Sequence, residues 1–268
     1  MSLNQIQLIK QIFLTGLVGI SCYTAFAQEA NSSLQLNNHE IRLPGRMISL
    51  NPSGFPDKIQ TYFTPEMTGI STTPNPIITE AIHFHVISSA THKDIKFKNE
   101  GITYKEVKPG AIKWTALNTS APLKMEVGAT VKNSGLIAYT VKITALEDVV
   151  LDDIKLHLPF TKEVSKYLKG LGNKGGNRPD SVKWKWNEAA RNENGAWIGN
   201  VNAGLEYSLI RPSSWGNNGK GGILITEKGT SMLSENYSGD RKMKKGEVLF
   251  YNFTLLVTPS STSDSFKQ

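Results

Sequence analysis

A strict alternation of side-chain character over residues 136–146 is the strongest constraint on the fold. Ile137, Tyr139, Val141 and Ile143 point to one side of an extended chain, and the intervening residues, mostly small or polar, point to the other. A strand with one apolar face is half buried, as is typical of antiparallel sheets. The segment therefore predicts an antiparallel strand with one face on the core.

Similar short apolar segments recur along most of the chain, with Gly, Pro, Asn and Asp at most of the joints. No amphipathic helical segment of ten or more residues separates them. Many short strands without such helices predict an all-β fold, a large antiparallel β-sandwich. The predicted strands cover residues 40–43, 47–50, 82–87, 95–97, 102–107, 111–117, 123–131, 136–146, 149–158, 182–186 and 248–257.

At most one short helix is expected. Thr161 is suited to begin it, Glu163 lies in its first turn, and Gly170 is suited to end it. Tyr167 and Leu168 would contribute to its apolar face. The sequence therefore predicts one helical segment just before the Gly-rich part of the chain.

The N-terminus is typical of an export signal. Lys10 is followed by an apolar run over residues 12–20, and Ala25-Phe26-Ala27 is a small-x-small cleavage site before Gln28. The run is too short and too interrupted to span a membrane, which takes about 20 apolar residues. A secreted or periplasmic protein that begins at Gln28 is the main prediction, and a lipid anchor at Cys22 is the less favoured alternative.

These features predict four parts of the chain. Residues 1–27 form the signal peptide, and residues 28–38 form a flexible, polar lead-in. Residues 39–260 form the β-sandwich domain, and residues 261–268 form a C-terminal tail. We therefore expect a single folded domain in the mature chain.

Composition excludes several kinds of site. Cys22 is the only cysteine, so a mature chain from Gln28 has neither a disulfide nor a zinc-thiolate site. The excess of 30 Lys and Arg over 23 Asp and Glu is spread over single lysines, whereas nucleic-acid binding favours a concentrated basic face. We therefore expect no nucleic-acid partner and no cofactor.

The segment 170–222, called here the Trp/Gly segment, concentrates the unusual residues. It holds four of the five tryptophans and nearly half of the 23 glycines, interleaved with asparagine and arginine. Indoles cover the apolar face of a sugar ring, amide and guanidinium groups pair with its hydroxyls, and glycines allow close approach of the backbone. Tryptophan and glycine also build buried corners of β-domains, so a folding role is the alternative.

If the segment faces a carbohydrate or another domain, ten of its residues are the candidate contacts. Trp184 and Trp186 are two apart, so they face the same side of a strand, and Lys183 and Lys185 face the other. We expect at least one of these two tryptophans to be structural and Trp215 to be an exposed contact in a loop. The candidate residues are Lys174, Arg178, Trp184, Trp186, Asn187, Trp197, Asn200, Asn202, Arg211 and Trp215.

Other candidate chemistry is sparse. The run GLGNKG matches the spacing of a dinucleotide-binding loop, but it lacks the preceding strand and the following helix that such a loop needs. His83 and His85 share one strand face, with Glu80 just upstream, so they are either metal ligands, an acid/base pair or hydrogen-bonded structural groups. Neighbouring acidic residues such as Asp152 and Asp153 point in opposite directions on a strand and cannot form a facing catalytic pair. We therefore assign no catalytic and no metal-binding residue.

Several long phrases resemble a known family. They are PFTKEVSKYLKGLGNKGGNRP, WKWN, AWIGNVNAGL, RPSSWGNNGKGGI and FYNFTLLVTP. They resemble the N-terminal region of bacterial secreted glycoside-hydrolase-like proteins related to glycoside hydrolase family 123. The resemblance covers roughly residues 35–260, nearly all of the expected mature chain.

The resemblance implies a mutarotase-like supersandwich that precedes a (β/α)₈ barrel with the acidic catalytic pair. This sequence ends just after LLVTP, where the barrel would begin, so the catalytic pair is expected to be absent. The expected function is a non-catalytic domain for polysaccharide degradation, with a glycan, in particular one containing N-acetylhexosamine, or a separately encoded barrel as partner. The alternatives are a stand-alone mutarotase-like enzyme that uses His83 or His85 with a carboxylate, and a purely structural docking partner.

Overall fold

The computed structural model describes residues 34–108, 110–186 and 194–260. The expected signal peptide, residues 28–33 of the lead-in and the tail 261–268 lie outside the described residues. The strands are β1 (Gln35–Asn37), β2 (Glu40–Leu43), β3 (Arg46–Leu50), β4 (Pro56–Phe63), β5 (Ile70–Pro76), β6 (His83–Ser88), β7 (Lys93–Asp94), β8 (Lys98–Lys108), β9 (Ala111–Thr119), β10 (Leu123–Lys132), β11 (Leu136–Ala145), β12 (Val149–Thr161), β13 (Tyr167–Gly170), β14 (Ser181–Lys185), β15 (Gly195–Gly199), β16 (Gly204–Ile210), β17 (Gly222–Lys228), β18 (Ser231–Tyr237), β19 (Arg241–Met243) and β20 (Val248–Thr258).

Two large antiparallel sheets form the sandwich. One has eight strands in the order β13-β15-β16-β20-β11-β10-β9-β8. The other has seven, in the order β14-β17-β18-β12-β6-β7, with β19 paired to β12. Ile137, Tyr139, Val141 and Ile143 of β11 are all buried, as their alternation predicts, because they face the opposite sheet. The predicted all-β sandwich is confirmed.

Aromatic packing and two buried hydrogen bonds join the sheets. Phe84 of β6 contacts Tyr251 and Phe253 of β20, with ring centroids 5.7 and 6.4 Å apart. The hydroxyls of Tyr207 and Ser234 lie 2.7 Å apart, and those of Ser238 and Tyr251 lie 3.0 Å apart. Buried hydroxyls without partners are costly, so these pairs favour one alignment of the two sheets.

A third sheet, β1-β2-β3-β4-β5, was only partly predicted. Ile70–Pro76 has mostly exposed residues, and its sequence therefore lacks the alternation that reveals a half-buried strand. Buried polar contacts fasten this sheet to the sandwich: Thr61 donates to the carbonyl of Asn202 at 2.6 Å, and the buried Arg46 donates to the carbonyl of Ser134 at 2.9 Å. β1 lies within the expected lead-in, so the folded part begins earlier than Asn38.

The predicted helix over residues 161–170 is wrong. The amide of Ser165 does donate to the carbonyl of Thr161, but the next donors leave the helical pattern. The amide of Leu168 donates to the carbonyl of Gly176, and the amide of Gly170 donates to the carbonyl of Asn173. These amides therefore pair with the Gly-rich loop and not with the preceding turn, and the chain continues as β13. Asn217–Gly219 forms a short 3-10 helix.

Two smaller findings complete the fold. Residues 95–97, predicted as a strand, form an irregular connection between β7 and β8, although the amide of Ile95 still donates to Val86 at 2.7 Å. In the part of the chain that the structure describes, no helix has the length and apolar character needed to cross a membrane.

Candidate functional site

Most tryptophans of the Trp/Gly segment face the core. Trp184 and Trp186 share one side, as their spacing predicts, and only 7% and 6% of their surfaces are exposed. Their rings meet edge to face with centroids 5.0 Å apart. Lys183 is exposed on the opposite side, and Lys185 lies over the ring of Tyr237 at 4.9 Å from its centroid. The paired indoles therefore belong to the sandwich core.

Trp215 is fully buried, so the expectation of an exposed loop contact is wrong. Its Nε1 donates to the carbonyl of Asn252 at 2.8 Å, and its ring contacts Tyr251 at 4.6 Å between centroids. A loop residue can be buried when its ring folds back onto a strand, and here the indole fills space beside β20. The position of a residue in a loop does not by itself determine whether its side chain is exposed.

Several other candidate residues hold loops in place through hydrogen bonds. Trp197 donates from Nε1 to Thr258 at 2.8 Å. Arg178 donates to the carbonyls of Ser165 and Pro179, and Asn202 is buried with its amide on the carbonyl of Phe63. Because their donors are already engaged with the protein, these residues have a structural role.

Three further candidates, Asn200, Lys174 and Asn187, differ in setting. Asn200 accepts hydrogen bonds from the amides of Asn202 and Ala203, which closes the turn between β15 and β16. Lys174 is exposed in the Gly-rich loop, and Asn187 lies outside the described residues. Neither Asn200 nor Lys174 lines the open cavity beside Trp186 and Arg211.

Three of the predicted residues do meet, in an open cavity that we call the tryptophan cleft. Its volume of about 780 Å³ is within the usual range for small-molecule sites. The guanidinium of Arg211 lies 4.5 Å above the ring of Trp186, a distance typical of a cation–π contact. The lining residues are Trp186, Arg211, Pro212, Ser213, Trp215, Gly216, Asn217, Asn218 and Gly219.

Two polar atoms of the cleft residues have no hydrogen-bond partner in the protein. They are Nε1 of Trp186 and the hydroxyl of Ser213, and both are buried. A buried donor without an acceptor costs free energy in the folded chain. The cleft therefore places the exposed guanidinium of Arg211 beside two buried polar atoms that lack protein partners.

A second group of functional side chains, called here the histidine cluster, consists of His83, His85 and His157. His83 and His85 lie on one face of β6, as predicted. His157 lies opposite His83 in the pairing of β12 with β6, and Glu235 of β18 lies opposite His157. His157 was not predicted as part of this group, because the pairing of distant strands cannot be inferred from the spacing of residues along the chain.

Carboxylates surround the histidine cluster. His157 Nδ1 makes a very short contact with Glu235 Oε1, and His157 Nε2 lies 3.3 Å from Glu80 Oε1. His85 Nδ1 lies 3.2 Å from Asp94 Oδ2. Three carboxylates therefore contact two imidazole rings on this face of the seven-stranded sheet.

The electrostatic environments of these rings differ. Burial lowers the pKa of His83, and the hydrogen bond to the carbonyl of Ala81 opposes this only in part. Burial also disfavours the charged form of His157, but the hydrogen bonds and charges of Glu235 and Glu80 outweigh it and raise its pKa. Burial raises the pKa of Glu235, yet its contact with His157 dominates and the net pKa is lowered.

The fold is similar to solved structures of carbohydrate-related proteins, at low identity. A galactose mutarotase related enzyme from Lactobacillus acidophilus is 7% identical, with a TM-score of 0.49 over 83% of this chain and 97% of that chain. Heparan sulfate lyase HepC from Pedobacter heparinus is 10% identical, with a TM-score of 0.47 over 87% of this chain and 38% of that chain. A GalM/aldose epimerase homologue from C. elegans is 7% identical, with a TM-score of 0.41 over 80% of this chain and 96% of that chain.

The sequence itself identifies the family. No curated protein matches this chain. Residues 34–259, which include nearly all described residues, match the family described as glycoside hydrolase 123, third domain. That description counts the module as a third domain, whereas the resemblance led us to expect it at the front of such proteins. The chain belongs to the glycoside hydrolase 123 third-domain family.

Proposed function

We propose that this chain is an exported, non-catalytic β-sandwich domain that binds a carbohydrate in the tryptophan cleft. The observation that carries the proposal is the open cleft of about 780 Å³ in which the exposed guanidinium of Arg211 lies over the ring of Trp186. Sugar hydroxyls accept hydrogen bonds, so they can pair with the guanidinium donors of Arg211. Membership of a glycoside hydrolase family supports a glycan as ligand.

Binding in the cleft uses polar contacts more than stacking. Trp186 and Trp215 are almost fully buried, so neither presents an open indole face to a sugar ring. Arg211 covers Trp186 and offers its guanidinium donors at the cleft surface. Asn217 already donates to the carbonyls of Ser238 and Asp240, which holds one wall of the cleft in place. We therefore expect a ligand rich in hydroxyl or amide groups, such as an N-acetylhexosamine-containing oligosaccharide.

We expect Arg211→Ala to weaken oligosaccharide binding by roughly ten- to a hundredfold, because hydrogen bonds to a charged group contribute about 1.5–3 kcal/mol. Isothermal titration with N-acetylhexosamine-containing oligosaccharides measures this. Arg42→Ala is the matched control, since Arg42 is exposed and ion-paired to Glu40 on β2. Ser213→Ala should leave the melting temperature unchanged, because its hydroxyl has no protein partner.

Other outcomes of the same experiment separate the alternatives. A native chain that binds none of the oligosaccharides but binds a separately encoded catalytic barrel supports the docking role. A chain that changes the anomer ratio of free sugars supports the mutarotase-like enzyme. Equal affinity in native protein and Arg211→Ala contradicts binding in the cleft.

Export is the part of the proposal that rests on residues 1–27. Protein recovered from culture medium or periplasm should begin at Gln28, because the cleavage site ends at Ala27. Mass spectrometry of the intact protein measures its N-terminus. An acylated chain that begins at Cys22 would show instead that the protein is lipid-anchored.

A further inference from the structure

We propose that His83, His85 and His157 form a binding site for a divalent transition-metal ion of the zinc class. One ring nitrogen of each residue lies within 4.8 Å of the others. Imidazole nitrogen suits zinc and related ions, and three histidines with an open fourth position form a known type of zinc coordination. The site lies on the outer face of the seven-stranded sheet and is independent of the tryptophan cleft.

The hydrogen bonds of His83 and His85 determine which nitrogen is available. His83 Nδ1 lies 2.8 Å from the carbonyl oxygen of Ala81, and His85 Nδ1 lies 3.2 Å from Asp94 Oδ2. Both oxygens only accept hydrogen bonds, so each ring donates from Nδ1. In the neutral rings Nε2 then carries a lone pair, which is the arrangement that outer-shell acceptors impose on metal-ligating histidines.

The two Nε2 atoms face each other at 3.0 Å. Two lone pairs at this distance repel unless a proton or a cation lies between or beside them. A metal ion that both nitrogens bind removes the conflict without an additional proton.

His157 supplies the third nitrogen from the neighbouring strand. Its Nδ1 contacts the half-buried Glu235, as a donor to the carboxylate, and its Nε2 is on the side of Glu80. All three rings therefore have an acceptor at Nδ1, from Ala81, Asp94 and Glu235 respectively. Glu80, whose side chain is 60% exposed, is placed to offer a carboxylate oxygen as a fourth ligand.

Nearby charges favour a cation. Three carboxylates contact the rings of the histidine cluster. Two lysines are also close: Lys96 donates to Asp94 Oδ2 at 3.4 Å with its side chain 88% exposed, and Lys155, which lies opposite His85 in the strand pairing, is 3.8 Å from Asp153. The three carboxylates outnumber these two cations. An ion at the cluster would join β6 to β12 across the sheet, so it should also stabilise the folded chain.

The test uses full-length protein without a polyhistidine tag, stripped with a chelator and dialysed against Zn²⁺. Mass spectrometry of the metal content should give about one zinc ion per chain, as expected for a single three-histidine site. His83→Ala, His85→Ala and His157→Ala should each lose the ion. His92→Ala is the matched control, because His92 is an exposed histidine paired with Asp152 outside the cluster, and it should retain the ion.

A milder variant keeps the proposal testable if an alanine variant fails to fold. Asp94→Asn retains an acceptor for the amide of Val86 but removes the carboxylate at His85 Nδ1. We expect zinc affinity to fall about 10–100-fold with an unchanged circular dichroism spectrum, since Asp94 is a positioning residue. Co²⁺ bound to the stripped protein should show visible absorption that His85→Ala abolishes. A native chain that takes up no zinc, or cluster variants that retain it, would overturn the proposal.

Discussion

Trp215→Ala should lower the free energy of unfolding by about 3–5 kcal/mol, the usual cost of truncating a buried tryptophan. Trp215 has no exposed surface, and its ring packs against Phe84 and Tyr251 at 6.0 and 4.6 Å between centroids. The change would also leave the carbonyl of Asn252 without its indole donor. Since a domain is stable by only about 5–15 kcal/mol, the loss should be obvious in urea denaturation.

Phe250→Ala is the control for this prediction. Phe250 precedes Tyr251 on β20, but 44% of its surface is exposed. Its removal should cost about 1 kcal/mol or less, because it leaves no buried cavity. If the Trp215 variant were as stable as the Phe250 variant, Trp215 would not be the core residue that the structure shows.

Gly221→Ala should destabilise the chain by about 3 kcal/mol, at the upper end of the usual cost of overpacking. A Cβ at Gly221 would lie 1.9 Å from the carbonyl oxygen of Trp215 and 2.7 Å from the Trp186 ring. The first of these atoms is backbone and cannot rotate away. Both neighbours line the tryptophan cleft, so the glycan binding proposed for this cleft should fall together with the melting temperature.

Gly69→Ala is the matched glycine control. A Cβ there has no atom within 4 Å. An alanine in a compatible backbone conformation leaves stability unchanged or raises it by up to about 1 kcal/mol, through the unfolded chain. Thermal melts of the two variants compare close packing directly, and equal melting temperatures would contradict the predicted clash.

The wrong helix prediction shows that a local sequence pattern does not determine which hydrogen-bond partners a segment finds. Thr161, Glu163 and Gly170 fit a short helix as well as they fit a turn followed by a strand. The outcome depends on Gly176 and Asn173, whose carbonyls capture the amides of Leu168 and Gly170. The competing partners lie several residues farther along the chain, outside the window in which helical periodicity is judged.

The tryptophans likewise show that local spacing does not determine whether a side chain is buried or exposed. Spacing predicts correctly that Trp184 and Trp186 face one side, but it does not say whether that side is core or surface. For Trp215, loop position suggested exposure, whereas its indole reaches back to β20. Arg211 and Trp186 meet because β16 and β14 end near the same loop, which no spacing along the chain reveals.

The sequence by itself determined the all-β class, the strand faces and the family. These are local properties, since alternation follows from the geometry of one extended strand and family phrases are read in order along the chain. Only the tertiary structure decided which faces are buried and which distant residues meet. His157 joins His83 because β12 pairs with β6 in one register, and a shift of one residue would turn His157 to the opposite face. Pairing between strands is set by the packing of whole sheets, so the histidine cluster and the tryptophan cleft exist only in the folded chain.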